Sequence, residues 1–188
     1  LRADDLNPNT NGAKLILGIE PGSKLAEITE RMRQGSLRAV LALGENLLKV
    51  GFAQRDLEKV PFIATLHLLA NASAELSNVV LPGTAYAEKR GSMINVTGRL
   101  QRLNKAVKAP GNAHDTWEIL RDLIVALGGS NGIHTIEDAF KRLTAEVPAL
   151  SNLTFSKIGD QGVQVLETSE KIPLLEREKE RKAKGIIV

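Results

Sequence analysis

Asn95, Gly98, Arg99 and Gln101 fall within one seven-residue stretch, downstream of Glu88-Lys89-Arg90-Gly91. These types suit an anion site. Glycines at 91 and 98 let backbone approach a ligand closely, a guanidinium forks onto two phosphate or carboxylate oxygens, and Asn and Gln add donors. The same spacing equally builds a turn that satisfies its own backbone groups.

Other motifs carry less. Gly18-Ile19-Glu20-Pro21-Gly22-Ser23-Lys24 has three residues between its glycines and Ser ahead of Lys. A phosphate-binding loop needs four, and Lys ahead of the hydroxyl, so that backbone N–H groups ring the phosphates while Lys reaches them. The segment reads as a turn and cap. Gly128-Gly129-Ser130-Asn131-Gly132 follows a helix, not a strand, so it terminates that helix rather than binding a dinucleotide. His67, His114 and His134 stand in three separate elements without metal-ligand spacing, and no Gly-x-Ser-x-Gly elbow nominates a nucleophile. No catalytic or metal-ligating residue is assigned.

Composition narrows the classes further. The chain has 188 residues, 43% hydrophobic and 25% charged, with net charge +3, the make-up of one folded soluble domain. It contains no Cys, which excludes a disulfide scaffold, a thiolate zinc site and any iron–sulfur cluster held by its own thiolates. No apolar run approaches the roughly 18–20 residues of a membrane helix, and no signal peptide opens the chain. Residues 88–108 hold six basic side chains against one acidic: Lys89, Arg90, Arg99, Arg102, Lys105 and Lys108. Such a stripe suits a phosphate-bearing cofactor or an acidic partner surface. With one Trp, one Tyr and four Phe, the chain lacks the stacking platforms of single-strand binders, and no nucleic-acid partner is expected.

Positioning these residues falls to alternating elements. Residues 4–12, dense in Asn, Pro and Gly, predict an irregular lead-in. Ser23 can cap a helix over 24–34 whose Leu25, Ile28 and Met32 share one face. Apolar runs at 37–43 and 60–66 read as buried parallel strands, the first ending in Gly44-Glu45-Asn46. Residues 67–76 read as a helix and 78–81 as a third strand stopped by Pro82-Gly83. This alternation predicts an α/β layered sheet with right-handed crossovers. Beyond it come an extended segment over 92–96 turning at Thr97-Gly98, a helix over 116–127 capped by Asp115, and a helix over 135–147. The charged tail over 170–184 reads as an exposed helix or disordered segment, with Glu178–Lys182 and Glu180–Lys184 at helix-favouring spacing. Residues 1–150 are expected to form the α/β lobe and 151–188 a charged C-terminal extension.

Across residues 36–128 the chain resembles the molybdopterin oxidoreductase large-subunit family. The resemblance rests on the 37–43 strand with Gly44-Glu45-Asn46, Leu76-Ser77-Asn78-Val79-Val80-Leu81-Pro82, the 88–101 segment, and Ala109-Pro110-Gly111-Asn112-Ala113 leading to Trp117-Glu118-Ile119-Leu120. It implies a three-layer α/β lobe of formate dehydrogenase/DMSO reductase type, with a mostly parallel sheet flanked by helices and further C-terminal helices. In cofactor-bearing members the matching positions, here Gly44, Glu45, Asn46, Asn95, Gly98, Arg99 and Gln101, lie near the pterin dinucleotide. This chain departs from the pattern: Asn71 and Ser73 replace two Thr, Asn78 an Asp, Ser92 a Thr, and Thr97 an acidic residue. Such drift resembles the respiratory branch, the large iron–sulfur subunits of NADH:quinone oxidoreductases, which keep the fold without the pterin. The resemblance implies that the chain, which opens on Leu1, is the C-terminal part of a longer oxidoreductase subunit. Iron–sulfur clusters are then expected in the preceding part and no cofactor in this one. Expected partners are the rest of its own chain and other subunits of a complex on the cytoplasmic face of the cell membrane, without membrane insertion. The alternative is a pterin-binding lobe of a molybdenum or tungsten enzyme such as formate dehydrogenase.

Overall fold

The computed structural model describes residues 7–20, 22–129, 132–167, 180 and 183. In chain order they include helices α1 (Thr10–Leu17), α2 (Leu25–Arg33), α3 (Leu47–Val50), α4 (Gln54–Leu57), α5 (Ala72–Glu75), α6 (Thr116–Ala126) and α7 (Ile136–Glu146). The strands are β1 (Val40–Leu43), β2 (Ile63–His67), β3 (Val79–Pro82), β4 (Gly91–Ile94), β5 (Arg99–Leu103) and β6 (Val163–Gln164). They divide into two compact units, one from Gly22–Arg90 and Leu103–Ile136, the other from the described residues of Leu1–Pro21, Gly91–Arg102 and Glu137–Val188.

The first, the sheet unit, carries the expected α/β pattern. Its strands run parallel in the order β1-β2-β3, with register Val40↔Ile63 and Ala64↔Val79. Short helices supply the crossovers, since parallel neighbours cannot be joined by a hairpin. Met32, Ala42, Leu47, Phe52, Leu57, Val60 and Ile63 form its core. Each large aliphatic side chain withdrawn from water there contributes roughly 1.5–3 kcal/mol.

The second, the hairpin unit, joins β4, β5 and β6 in one sheet, with β5 and β6 antiparallel. Buried Ile94, Leu100, Phe140, Val147, Leu150, Phe155 and Ile158 line its interior. Phe140 and Phe155 meet edge to face, ring centroids 5.7 Å apart, the favoured arrangement of aromatic quadrupoles.

Several local expectations shift. The lead-in turns helical at Thr10, and Gly12 is needed there because the Asn9 side chain occupies the space a Cβ would take. Asn9 Oδ1 instead accepts Ile94 N–H (2.8 Å). Ser23 does not cap α2; the first turn closes through Leu25 N–H to Gly22 O (3.0 Å), a backbone acceptor that displaces the hydroxyl. The helix expected over 67–76 shrinks to α5, because His67 stays in β2 and Asn71 caps the turn from within. The helix led by Asp115 is α6, where Glu118 Oε2 accepts Asp115 N–H (3.2 Å) as half of a capping box. The tail over 170–184 lies outside the described residues except at 180 and 183.

Candidate functional site

Gly44, Glu45 and Asn46 follow β1 at the carboxyl edge of the parallel sheet. Gly44 sits at φ +75°, where a side chain would be strained, and its N–H donates to Leu66 O (2.7 Å). Asn46 caps α3: its Oδ1 accepts Leu48 N–H (3.1 Å), Lys49 N–H (3.3 Å) and the Ser73 hydroxyl (3.0 Å). Ser73 is wholly buried, and its carbonyl accepts the Ser77 hydroxyl (2.7 Å), itself 2.6 Å from Thr65 Oγ1. A polar chain thus runs from β2 through α5 to the β1 loop, each member partnered, as burial demands. Glu45 is exposed.

Two of the departures from the family pattern hold local structure nearby. Asn71 Oδ1 accepts Ser73 N–H (2.9 Å) and Ala74 N–H (3.2 Å), and Asn78 Oδ1 accepts Ile63 N–H (2.7 Å). A crevice of about 460 Å³ opens beside them, lined by His67, Leu68, Leu69, Asn71, Glu75 and Val80 among others. Leu69 N–H donates to His67 Nδ1 (3.1 Å). Reading 67–76 as a helix hid this crevice; Asn71 as a possible cap was the signal available.

Asn95, Gly98, Arg99 and Gln101 belong to the hairpin unit, where they shape the β4–β5 turn. Asn95 Oδ1 accepts Thr97 N–H (3.0 Å), the Thr97 hydroxyl (2.9 Å) and Arg99 N–H (3.0 Å), and its Nδ2 donates to Gln101 Oε1 (3.1 Å). Gly98 sits at φ +78° with no room for a Cβ against the Leu166 backbone. Its carbonyl accepts Val165 N–H (3.0 Å) and Leu166 N–H (3.1 Å). Arg99 Nη1 donates to Gln161 O (3.2 Å) and Gly162 O (3.1 Å). The seven expected positions therefore form two clusters, three in the sheet unit and four in the hairpin unit.

The donor set tests the pterin dinucleotide that the resemblance brings with it. Asn46 and Asn95 use their amides to hold turns, Arg99 Nη1 is bound to carbonyls, and Glu45 would repel a phosphate. To grip a pyrophosphate, Asn95 Nδ2 would have to release the Gln101 side chain and Arg99 Nη1 the carbonyls of Gln161 and Gly162. They fit self-contained loops better than an anion cradle, and no chemical step is derived through such a group. The buried side-chain polar atom left without a partner among the described residues is Arg102 Nε, on a side chain whose Nη2 pairs with Asp160 (2.9 Å). Among the described residues no group of three His, Cys, Asp or Glu could hold a metal ion, and no helix is long and apolar enough to cross a membrane. Titration is displaced on the exposed face of α6. There the Arg121 Nε hydrogen bond (2.7 Å) holds the Asp122 carboxyl below its ordinary value and raises Arg121 in turn.

The parallel sheet flanked by helices agrees with the fold comparison. The chain belongs to the molybdopterin oxidoreductase family, whose model matches residues 6–126. It is 26% identical over 133 residues to an F420-dependent formate dehydrogenase alpha subunit of Methanococcus maripaludis, covering 68% of this chain and 20% of that one. It is 31% identical over 136 residues to the NADPH-Fe(3+) oxidoreductase alpha subunit of Geobacter sulfurreducens, 70% of this chain and 16% of that one. Over 77 residues it is 39% identical to the NADH-ubiquinone oxidoreductase 75 kDa subunit of Reclinomonas americana, 41% of this chain and 11% of that one. The chain thus spans a fifth or less of these relatives. The fold matches acetylene hydratase from Pelobacter acetylenicus with a TM-score of 0.58 at 15% identity, over 87% of this chain and 25% of that one.

Proposed function

We propose that the chain is the C-terminal scaffold portion of the large iron–sulfur subunit of an NADH:quinone oxidoreductase. The observation that carries this reading is the 39% identity to the 75 kDa subunit, higher per residue than to the formate dehydrogenase above. The commitment of Asn46, Asn95 and Arg99 to the protein's own turns supports it. The segment holds no redox centre. Its work is to pack against the rest of its subunit and neighbouring subunits in a respiratory complex on the cytoplasmic face of the cell membrane, with the 88–108 basic stripe as interaction surface. Iron–sulfur clusters belong to the preceding part, since this chain has no Cys. The full-length protein, purified and assayed for iron, molybdenum, tungsten and pterin, tests this. Iron without pterin, with loss of complex assembly on deletion of the segment, is the expected result; stoichiometric pterin overturns it.

The length of the formate dehydrogenase matches, 133 residues in one and 165 in another from Methanocaldococcus jannaschii, favours a second reading. The segment would then be the pterin-binding lobe of a molybdenum or tungsten oxidoreductase, with the Arg99 guanidinium turned to the pyrophosphate. Under it, Arg99→Ala in the full-length enzyme lowers pterin and metal content together; unchanged content sinks it.

A further inference from the structure

His67, the last residue of β2, holds its ring against the turn that follows it. Its Nδ1 lies 3.1 Å from Leu69 N and 2.9 Å from Leu69 O. One ring nitrogen cannot serve both. It carries either a lone pair, which accepts the Leu69 N–H, or a proton, which it donates to the Leu69 carbonyl.

The neighbouring groups rank the two arrangements. Asn71 Nδ2 already donates to Leu69 O (3.3 Å), while Asn71 Oδ1 caps α5 through Ser73 N–H and Ala74 N–H. With Nδ1 as acceptor, both backbone groups of Leu69 have a partner, and the neutral ring carries its proton on Nε2. With Nδ1 protonated, Leu69 N–H faces another N–H, and Nδ1 competes with Asn71 for one carbonyl. An imidazolium bears a proton on each nitrogen, so charging the ring forces the second arrangement.

We infer that His67 is a pH-sensitive latch on the crevice of about 460 Å³ that it lines: the neutral ring ties down the 68–71 turn, and the protonated ring releases Leu69 N–H and takes Leu69 O instead. The turn forms one wall of the crevice and runs straight into the α5 cap, so a change at one nitrogen is passed along that wall. The other charged side chain lining the crevice is Glu75, on α5; β3 contributes Val80 and Pro82, which do not titrate. Protonation therefore sets an imidazolium beside a lone carboxylate and alters the charge of the lining together with its shape. The latch depends on the chain's own geometry and holds under either functional reading.

Hydrogen–deuterium exchange on the full-length protein tests it. Peptides spanning Leu69 are followed from roughly pH 8 to pH 5, the window in which histidine side chains ordinarily change charge, and corrected for the intrinsic pH dependence of exchange. The expected result is that the Leu69 amide loses about threefold or more of its protection at the acid end. In His67→Asn, whose amide oxygen replaces the Nδ1 acceptor and does not titrate, protection should stay level, and in Glu75→Gln it should fall as in the parent. Level protection in the parent overturns the inference, and so does an equal fall in His67→Asn or a fall abolished by Glu75→Gln. Nitrogen chemical shifts of histidine-labelled protein, with His67 assigned by its absence from His67→Asn, read the tautomer separately. A bare Nδ1 at the basic end is expected; a protonated one overturns the latch.

Discussion

The sheet unit and the hairpin unit solve the problem of a stable fold in opposite ways. In the sheet unit each strand pairs with the next one along the chain, through one short helical crossover or two, and an apolar cluster about Leu57 holds them together. The hairpin unit gathers three distant stretches. Asn11 Nδ2 donates to Asn95 O (2.9 Å) from 84 residues away, and Arg102 reaches Asp160 across 58. Closing such loops costs entropy before any contact forms. The unit compensates with specific polar contacts to backbone and with two glycines, 98 and 162, that let strands approach to van der Waals limits. Local pairing tolerates an approximate sequence; distant pairing needs particular residues.

The contrast can be broken or sharpened experimentally, and Trp117, the single Trp, reports on the sheet unit alone. The largest effect is expected from Gly98→Ala, which combines a left-handed backbone with a clash against Leu166 and should cost about 4 kcal/mol. Far-UV circular dichroism should show early loss of part of the structure while Trp117 fluorescence unfolds at its usual denaturant concentration. Coincident, equally lowered transitions would show that the units do not unfold separately. Leu57→Ala, at a fully buried position, should cost about 3 kcal/mol. Here the Trp117 transition is the one that should move first.

Asn46→Ala removes the α3 cap and leaves the buried Ser73 hydroxyl without its acceptor, for about 2 kcal/mol. Asn46→Asp keeps an acceptor and should recover most of that loss in urea unfolding at neutral pH; equal losses for both variants would deny the cap its role. The smallest effect belongs to Asp122. Its folded carboxyl titrates below the ordinary 3.8 because Arg121 donates to it. The stabilisation is therefore present above that value and fades as pH falls through the lower folded one. Asp122→Asn should match the parent at strongly acidic pH and fall slightly below it at neutral pH. A gap that widens on acidification would contradict the assignment.

Much of the sheet unit is legible along the chain. The apolar runs at 37–43 and 60–66 supply β1 and β2, the second running one residue further to His67, Pro82 ends β3, and Asp115 leads α6 as its position suggests. Periodicity succeeds there because each element has its partner nearby. The hairpin unit is less legible. Nothing about Val163-Gln164 marks it as the strand beside Arg99 and Leu100, and Asn9 gives no sign that its side chain will bind Ile94. The crevice at His67 is hidden for a related reason: residues 67–76 read as one helix, whereas Leu68 and Leu69 leave the strand end as exposed loop.

By itself the sequence determines the α/β class of the first unit, the absence of cysteine chemistry in this chain, and which residues have the right types to bind an anion. Composition and hydrophobic period are properties of the chain taken in order, so they survive without coordinates. Only the tertiary structure decides what those residues do with their donors. Arg99 turns to the carbonyls of Gln161 and Gly162, and Asn95 folds back on Thr97 and Arg99. A hydrogen bond is settled by which acceptor lies within about 3 Å, and for Arg99 that acceptor stands some sixty residues further along the chain.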